Sequence, residues 1–172
     1  MIRRGFKYRI YPNNKQKEFF AKCFGCVRFF YNKSLTDMIN IYLETGKTKN
    51  ITPASYKIEY PFLKEVDSLA LSNAQLNRNT AFKSFFSHKS GFPKYKSKRN
   101  NQSYTTNNQG SVKFSNNNRY ISIPKCPRIR LRCIEFLKAS LSQLQYLGPL
   151  ITNTICLYWL KLRLNHLNPL TK

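Results

Sequence analysis

The chain has 172 residues, enough for one ordinary domain or two small ones, and its 41% apolar content is enough for a core, which excludes disorder of the whole. Thirty Lys and Arg stand against seven Asp and Glu, a net charge of +23, which exceeds what solubility needs and points to a polyanion as the usual companion. A membrane surface could also be that polyanion, but no basic amphipathic helix, lipidation signal, signal peptide or apolar run of spanning length accompanies the charge, so the expectation is a cytoplasmic protein without membrane contact.

Phe6, Tyr8 and Ile10 alternate with Lys7, Arg9 and Tyr11, so residues 5–11 read as a strand with one apolar and one cationic face, ended by Pro12. Asn13 or Asn14 can cap a helix beginning near Lys15, whose apolar positions Phe19, Phe20 and Cys23 lead up to Gly25. Cys26, Val27, Phe30, Ser34, Leu35, Met38 and Tyr42 then keep helical spacing to Glu44, and Thr45-Gly46 supplies the stop. Gly25 therefore reads as a break between two helices. With Arg28, Tyr31, Asn32 and Lys33 grouped on the second, the pair can be a helix-turn-helix or an ordinary helical hairpin; in the first case Arg28 and Asn32 face nucleic acid.

Cys23 and Cys26 have CxxC spacing, but no second CxxC or HxxxH accompanies them and both fall in the apolar helical pattern, so they read as core thiols. The five cysteines, with Cys126, Cys133 and Cys156, are odd in number and irregularly placed, which suits a reducing compartment. Neither a metal nor another cofactor is expected.

Thr52-Pro53 opens a short helix that Pro61 ends, and Asp67-Ser68 caps a longer one with an apolar stripe of Leu71, Ala74, Phe82, Phe85 and Phe86, leaving Arg78 and Lys83 to solvent or phosphate. Residues 91–107 change character. Lys94, Lys96, Lys98 and Arg99 surround Tyr95, with Phe92 and Tyr104 on the flanks, so phosphate donors stand beside flat rings; a solvated lysine loop is the plain alternative.

Beyond a bend at Gly110 the period becomes two. Val112 and Phe114, a turn at Asn116-Asn117-Asn118, and Tyr120-Ile121-Ser122-Ile123 read as a hairpin, and Pro124 and Pro127 bracket a further turn. Ile129 and Leu131 then alternate with Arg128, Arg130 and Arg132. Three arginines on one strand face repel one another unless something anionic lies across them, a stronger nucleic-acid signal than the lysine loop.

The order of blocks resembles a known family. Phe6-Lys7-Tyr8-Arg9-Ile10-Tyr11-Pro12 followed by Phe24-Gly25-Cys26-Val27-Arg28-Phe29-Phe30-Tyr31-Asn32-Lys33 is similar to the N-terminal signature of the TnpB (OrfB) proteins of insertion sequences. Glu59-Tyr60-Pro61-Phe62-Leu63-Lys64-Glu65-Val66-Asp67-Ser68, Ala81-Phe82-Lys83-Ser84-Phe85-Phe86, and the runs from Gly91 to Lys98 and from Gln102 to Asn107 agree in order, over roughly the first 132 residues. The resemblance implies an α+β fold with a helical insert, described in the family as a helix-turn-helix, set into an antiparallel OB-like β-barrel. It also implies a guide-type RNA or its duplex with DNA as the partner, held by backbone and shape.

The expected parts are a barrel strand in 1–12, a helical domain in 13–90, a basic loop with barrel strands in 91–132, and an atypical tail in 133–172. The family's catalytic carboxylates and four-cysteine zinc knuckle lie beyond the barrel, and after Asp67 the one acidic residue here is Glu135, so the expectation is a truncated, non-catalytic portion with an incomplete barrel. Leu occurs 7 times in the first 132 residues and 11 times in the last 40, while Lys and Arg fall from 26 to 4, which reads as a change of reading frame near Cys133, a leucine-rich helical appendage being the alternative. Expected phosphate contacts are Lys94, Lys96, Lys98, Arg99, Arg128, Arg130 and Arg132, with Tyr95 and Tyr104 for stacking and Lys7, Arg9, Arg28 and Asn32 as second choices. A free-standing helix-turn-helix protein acting on transposon ends, and one part of a nuclease completed by another polypeptide, are the rival readings. The oligomeric state is left open.

Overall fold

The computed structural model describes residues 5–106, 112–115, 119–137, 154–157 and 160–164, with side chains described in 9–106, 112–115 and 119–131. The predicted bend at Gly110, the turn at Asn116-Asn117-Asn118 and most of the tail lie outside the described residues. The chain folds as two units, one of residues Met1–Phe19 with Asn101–Lys172 and one of Phe20–Asn100. It is an α+β protein with an antiparallel sheet.

In the sheet unit, β1 (Gly5–Tyr11) pairs on one side with β5 (Cys126–Leu137) and on the other with β6 (Thr154–Leu157). With β2 (Gln102–Thr106), β3 (Lys113–Ser115), β4 (Tyr120–Ile123) and β7 (Leu160–Leu164) the strand order is β2-β7-β6-β1-β5-β4-β3, every pair antiparallel. Two short strands thus come from the tail, where the sequence shows neither helical nor alternating period. The predicted alternation holds: Ile10 stands opposite Leu131 and Ile121 opposite Ile129, and all four are buried. Ile123 and Cys126 join them, so the core of this unit lies on one face of the sheet. Gln-Ser-Tyr-Thr-Thr carries little apolar signal and reads as the end of the basic loop, yet it forms β2 and its Tyr104 and Thr106 are buried.

One helix, α1 (Asn14–Thr45), runs 32 residues without interruption, so the predicted break at Gly25 does not occur. It starts at a reciprocal cap, the Gln16 amide N–H donating to Asn13 Oδ1 at 2.9 Å and the Asn13 N–H to Gln16 Oε1 at 3.0 Å. Its buried positions Phe20, Cys23, Phe24, Val27, Phe30, Tyr31, Ser34 and Leu35 keep a 3-4 spacing straight past Gly25. A continuous stripe that buries several large side chains outweighs the cost of one interior glycine, about 1 kcal/mol. Helix continuity is the lower-energy result. Cys23 and Cys26 lie inside this stripe, as expected, and burial pushes the Cys26 thiol up.

The rest of the helical unit follows its caps. Pro53 opens α2 (Pro53–Glu59), a 3-10 turn takes Pro61–Lys64, and α3 (Ser68–Phe86) starts where the Asp67 carboxylate accepts from the Leu69 N–H at 3.0 Å. Leu63, Val66, Ala70, Leu71 and Ala74 are buried. Arg78 is a correction: predicted for solvent or phosphate, its side chain is fully buried, donating from Nη2 to Ile51 O at 3.2 Å and to Asn79 Oδ1 at 3.0 Å. Burial holds its pKa below the ordinary arginine value, and Nη1 has no hydrogen-bond partner.

Candidate nucleic-acid interface

Alternation along β1, β4 and β5 decides what the outer face of the sheet carries. With Ile10, Ile121, Ile129 and Leu131 turned to the core, the intervening positions Arg9, Tyr11, Tyr120, Arg128 and Arg130 fall on the other face. Register brings them together: Tyr11 stands opposite Arg130, which on its other side stands opposite Tyr120, and Arg9 stands opposite Arg132. Arg128 and Arg130 are exposed, and Tyr11 is 47% exposed. Tyr11, Arg119, Tyr120, Arg130 and Leu131 line an open depression of about 670 Å³. The side chains of Lys7 and Arg132 lie outside those described.

The β4–β5 connection is a two-residue turn, Pro124-Lys125, between the paired Ile123 and Cys126, and Lys125 has φ +63°. One residue on, Pro127 and Arg128 together oppose Ser122, a β-bulge in which Arg128 has φ +50° and its N–H donates to Ser122 Oγ at 3.2 Å. The bulge is held from α1, whose Gln16 Nε2 donates to Pro127 O at 3.1 Å and Arg128 O at 3.3 Å. It sets the Arg128 guanidinium carbon 5.5 Å from the Tyr120 ring centroid. Two cations within four residues thus occupy backbone conformations that glycine adopts more cheaply, a strain that concentrates at functional sites. Burial pushes the neighbouring Cys126 thiol up to about 11, so it stays protonated and inert.

In the helical unit the lysine loop is pinned to α1. Asn32 Nδ2 donates to Lys96 O at 2.9 Å while the Lys96 N–H donates to Asn32 Oδ1 at 2.8 Å. The Tyr95 hydroxyl lies 3.2 Å from Thr36 Oγ1, and Lys96 Nζ sits 4.3 Å from the Tyr31 ring centroid. Asn32 therefore uses both ends of its side-chain amide on the loop and positions it. Lys94, Lys98 and Arg99 are exposed, Tyr95 is 56% exposed, and Arg28 is half-buried. Tyr104 is 4% exposed in the sheet unit, which leaves no ring face for a base.

Electrostatics supports an anionic partner. From Ser68 to Ile134 the sequence holds thirteen Lys and Arg and no Asp or Glu. Three of the five carboxylates of the helical unit are occupied: Glu65 pairs with Lys22 at 3.0 Å, Asp37 with Lys33 at 2.8 Å and with the Tyr56 hydroxyl, and Asp67 caps α3. Among the described residues no group of three or more His, Cys, Asp or Glu is placed to hold a metal ion. No helix among them is long and apolar enough to cross a membrane.

The helix-turn-helix domain profile of the OrfB/IS605 family matches residues 1–47, a span that contains β1 and α1. The chain is 34% identical over 105 residues to a Streptomyces pristinaespiralis protein named an RNA-guided DNA endonuclease, covering 57% of this chain and 26% of that protein. It is 27% identical over 139 residues to the RNA-guided DNA endonuclease InsQ of Escherichia coli K12, covering 74% of this chain and 33% of InsQ. Virulence protein VsdF of Salmonella dublin is 36% identical over 111 residues, 55% of this chain and 93% of VsdF. The chain belongs to the TnpB/OrfB family. This TnpB/OrfB chain spans only a quarter to a third of the two endonuclease-named relatives, and nearly all of VsdF.

Within the family frame, sequence reasoning missed Arg119 and Lys125. Arg119 gave no periodic signal, and the left-handed backbone at Lys125 follows from the tight turn after Pro124, where glycine or asparagine is the usual mark.

Proposed function

We propose that this TnpB/OrfB chain is a nucleic-acid-binding portion of an RNA-guided DNA endonuclease, holding guide-type RNA or its duplex with DNA and performing no cleavage by itself. The observation that carries the reading is the outer face of β1, β5 and β4, where Arg9, Arg128 and Arg130 lie among Tyr11 and Tyr120. Such a face meets a phosphate backbone with its cations and the sugar edge with its rings, and it reads shape rather than sequence. Lys94, Lys98 and Arg99 supply phosphate contacts and Tyr95 a stacking ring from the pinned loop, with Lys96 fixed beside Tyr31. Arg132 is a further phosphate contact on this reading, and Lys7 and Arg28 are secondary ones.

On this reading 1–12 and 91–132 contribute the strands and basic loop of an OB-like barrel, and 13–90 is its helical insert. The tail, 133–172, is read out of frame; codons between Cys133 and Lys161 that cannot encode family-like strands in the shifted frame would sink that point. Cleavage through two metal ions needs several carboxylates converging on one site, and seven acidic residues in 172, one of them after Asp67, do not favour it.

Two other readings have support. The profile's helix-turn-helix description favours a free-standing DNA-binding protein acting on transposon ends; the uninterrupted α1 weighs against groove reading by a second helix. The names of two relatives as RNA-guided DNA endonucleases bear on the other reading, one part of a nuclease completed by another polypeptide. Filter binding of the purified chain to structured RNA and to duplex DNA tests the proposal. Tighter binding to the RNA is expected. Preference for duplex DNA with base-specific losses would replace it with the free-standing reading.

A further inference from the structure

Four phenylalanines gather where α3 ends. Phe82 stacks on Phe86, centroids 6.3 Å apart at 21°, and Phe92 meets Phe82 and Phe85 edge-on at 5.8 and 5.2 Å. Phe85 braces Phe86 at 5.3 Å. Aromatic clusters usually close a core, but here Phe86 is 66% and Phe92 48% exposed, while the buried Pro93 anchors the loop directly after Phe92. The two rings are held by their neighbours and still open to solvent. Phe62, 41% exposed, also sits in a ring cluster, 5.2 Å from Phe29 and 6.0 Å from Tyr60, but Glu59 and Glu65 flank it in sequence; the exposed Ile58, Leu43 and Leu76 have no ring cluster among the described contacts.

We propose that Phe86 and Phe92 form a stacking platform for bases of single-stranded nucleic acid, a site additional to the cationic sheet face; the inference rests on the chain being a nucleic-acid binder. Charge selects this partner over an apolar protein surface. Exposed Lys83, Lys89 and Lys94 surround the rings in sequence, and no carboxylate occurs anywhere from Ser68 to Ile134. The helix end, which would otherwise present carbonyl acceptors to a phosphate, is closed on itself. The Lys89 N–H donates to Ser84 O at 2.9 Å, the His88 N–H to Phe85 O at 2.9 Å and the Ser87 N–H to Lys83 O at 3.0 Å, with His88 at φ +55° in the position where glycine is usual. Pre-braced rings flanked by cations are the combination that binds single strands without sequence preference, because every base has a π face and the rings need no ordering on binding.

The test uses the full chain with two probes: an unstructured oligonucleotide of about 12 nucleotides carrying 2-aminopurine, within the site size of single-strand binders, and a blunt RNA hairpin of equal charge. Phe86→Leu and Phe92→Leu keep apolar bulk and remove the ring. Each should weaken single-strand binding by about 10-fold and restore 2-aminopurine emission, with hairpin affinity and urea melting unchanged. Wild-type affinity and quenching in both variants, with hairpin binding intact, would overturn this inference and leave the sheet-face reading standing. A concentration-dependent dimer dissolved by Phe86→Leu would assign the patch to a second copy of the chain and also overturn it. Failure of the wild-type chain to bind either probe would sink both readings.

Discussion

Replacing Gly25 by alanine separates one continuous helix from two helices joined by a turn, because the two arrangements predict opposite signs. Gly25 lies inside α1, is not among the positive-φ residues, and an added Cβ would meet nothing within 4 Å. Alanine there should stabilise the chain by about 0.8–1 kcal/mol, the interior helix preference of alanine over glycine. A turn glycine held at positive φ would instead cost about 1–2 kcal/mol on the same change. Gly46 supplies the control. It too has nothing within 4 Å, yet its φ is +66°, so Gly46→Ala should destabilise while Gly25→Ala stabilises. Thermal melts of both variants should move in opposite directions, by about 2–4 °C per kcal/mol for a chain of this length. A drop in midpoint for Gly25→Ala would refute the continuous helix.

Asn32→Ala should cost about 1–3 kcal/mol, since it removes both bonds to the Lys96 backbone, and should speed exchange of the Lys96 amide hydrogen; an unchanged exchange rate would show that Asn32 does not hold the loop. His88→Gly and Lys125→Gly should each raise stability by about 1 kcal/mol in urea melts, because both residues sit at positive φ. Burial and then the bond to Asp37 raise the Tyr56 phenol above its usual value of 10.0, and burial raises Tyr31. The folded chain therefore holds those protons more tightly than the unfolded one. Their contribution is fully present below pH 10 and is lost as pH rises above it, so the alkaline decline in stability should be shallower in Tyr56→Phe.

Where side-chain period or cap chemistry governs, the sequence could be read directly. The Arg-x-Arg alternation after Pro127, the strand before Pro12 and the caps at Asn13 and Asp67 all reappear in the structure. Arg78 was misplaced although its signal was visible: Leu71, Ala74 and Arg78 follow the i, i+3, i+7 spacing of one buried helix face, and its charge overrode the pattern. Gly25 misled because a local breaker was weighed against helix propensity alone, without the stripe that continues on both sides of it. Tyr104 reads as a stacking ring because it flanks the run of cations from Lys94 to Arg99, and only the pairing of β2 turns it inward. The positive φ at Lys125 and Arg128 has no sequence mark at all. It comes from closing a two-residue turn and fitting one extra residue into β5.

The central claim, that the outer sheet face grips phosphates, is tested most directly by the salt dependence of structured-RNA binding in the wild-type chain and in Arg128→Gln/Arg130→Gln. Both residues are exposed on β5, so binding should weaken uniformly across RNA sequences, and the slope of log K against log salt should fall by about 1 for each lost contact, about 2 in the double variant. An unchanged slope and affinity in the double variant would place the phosphate contacts elsewhere on the molecule and contradict the account.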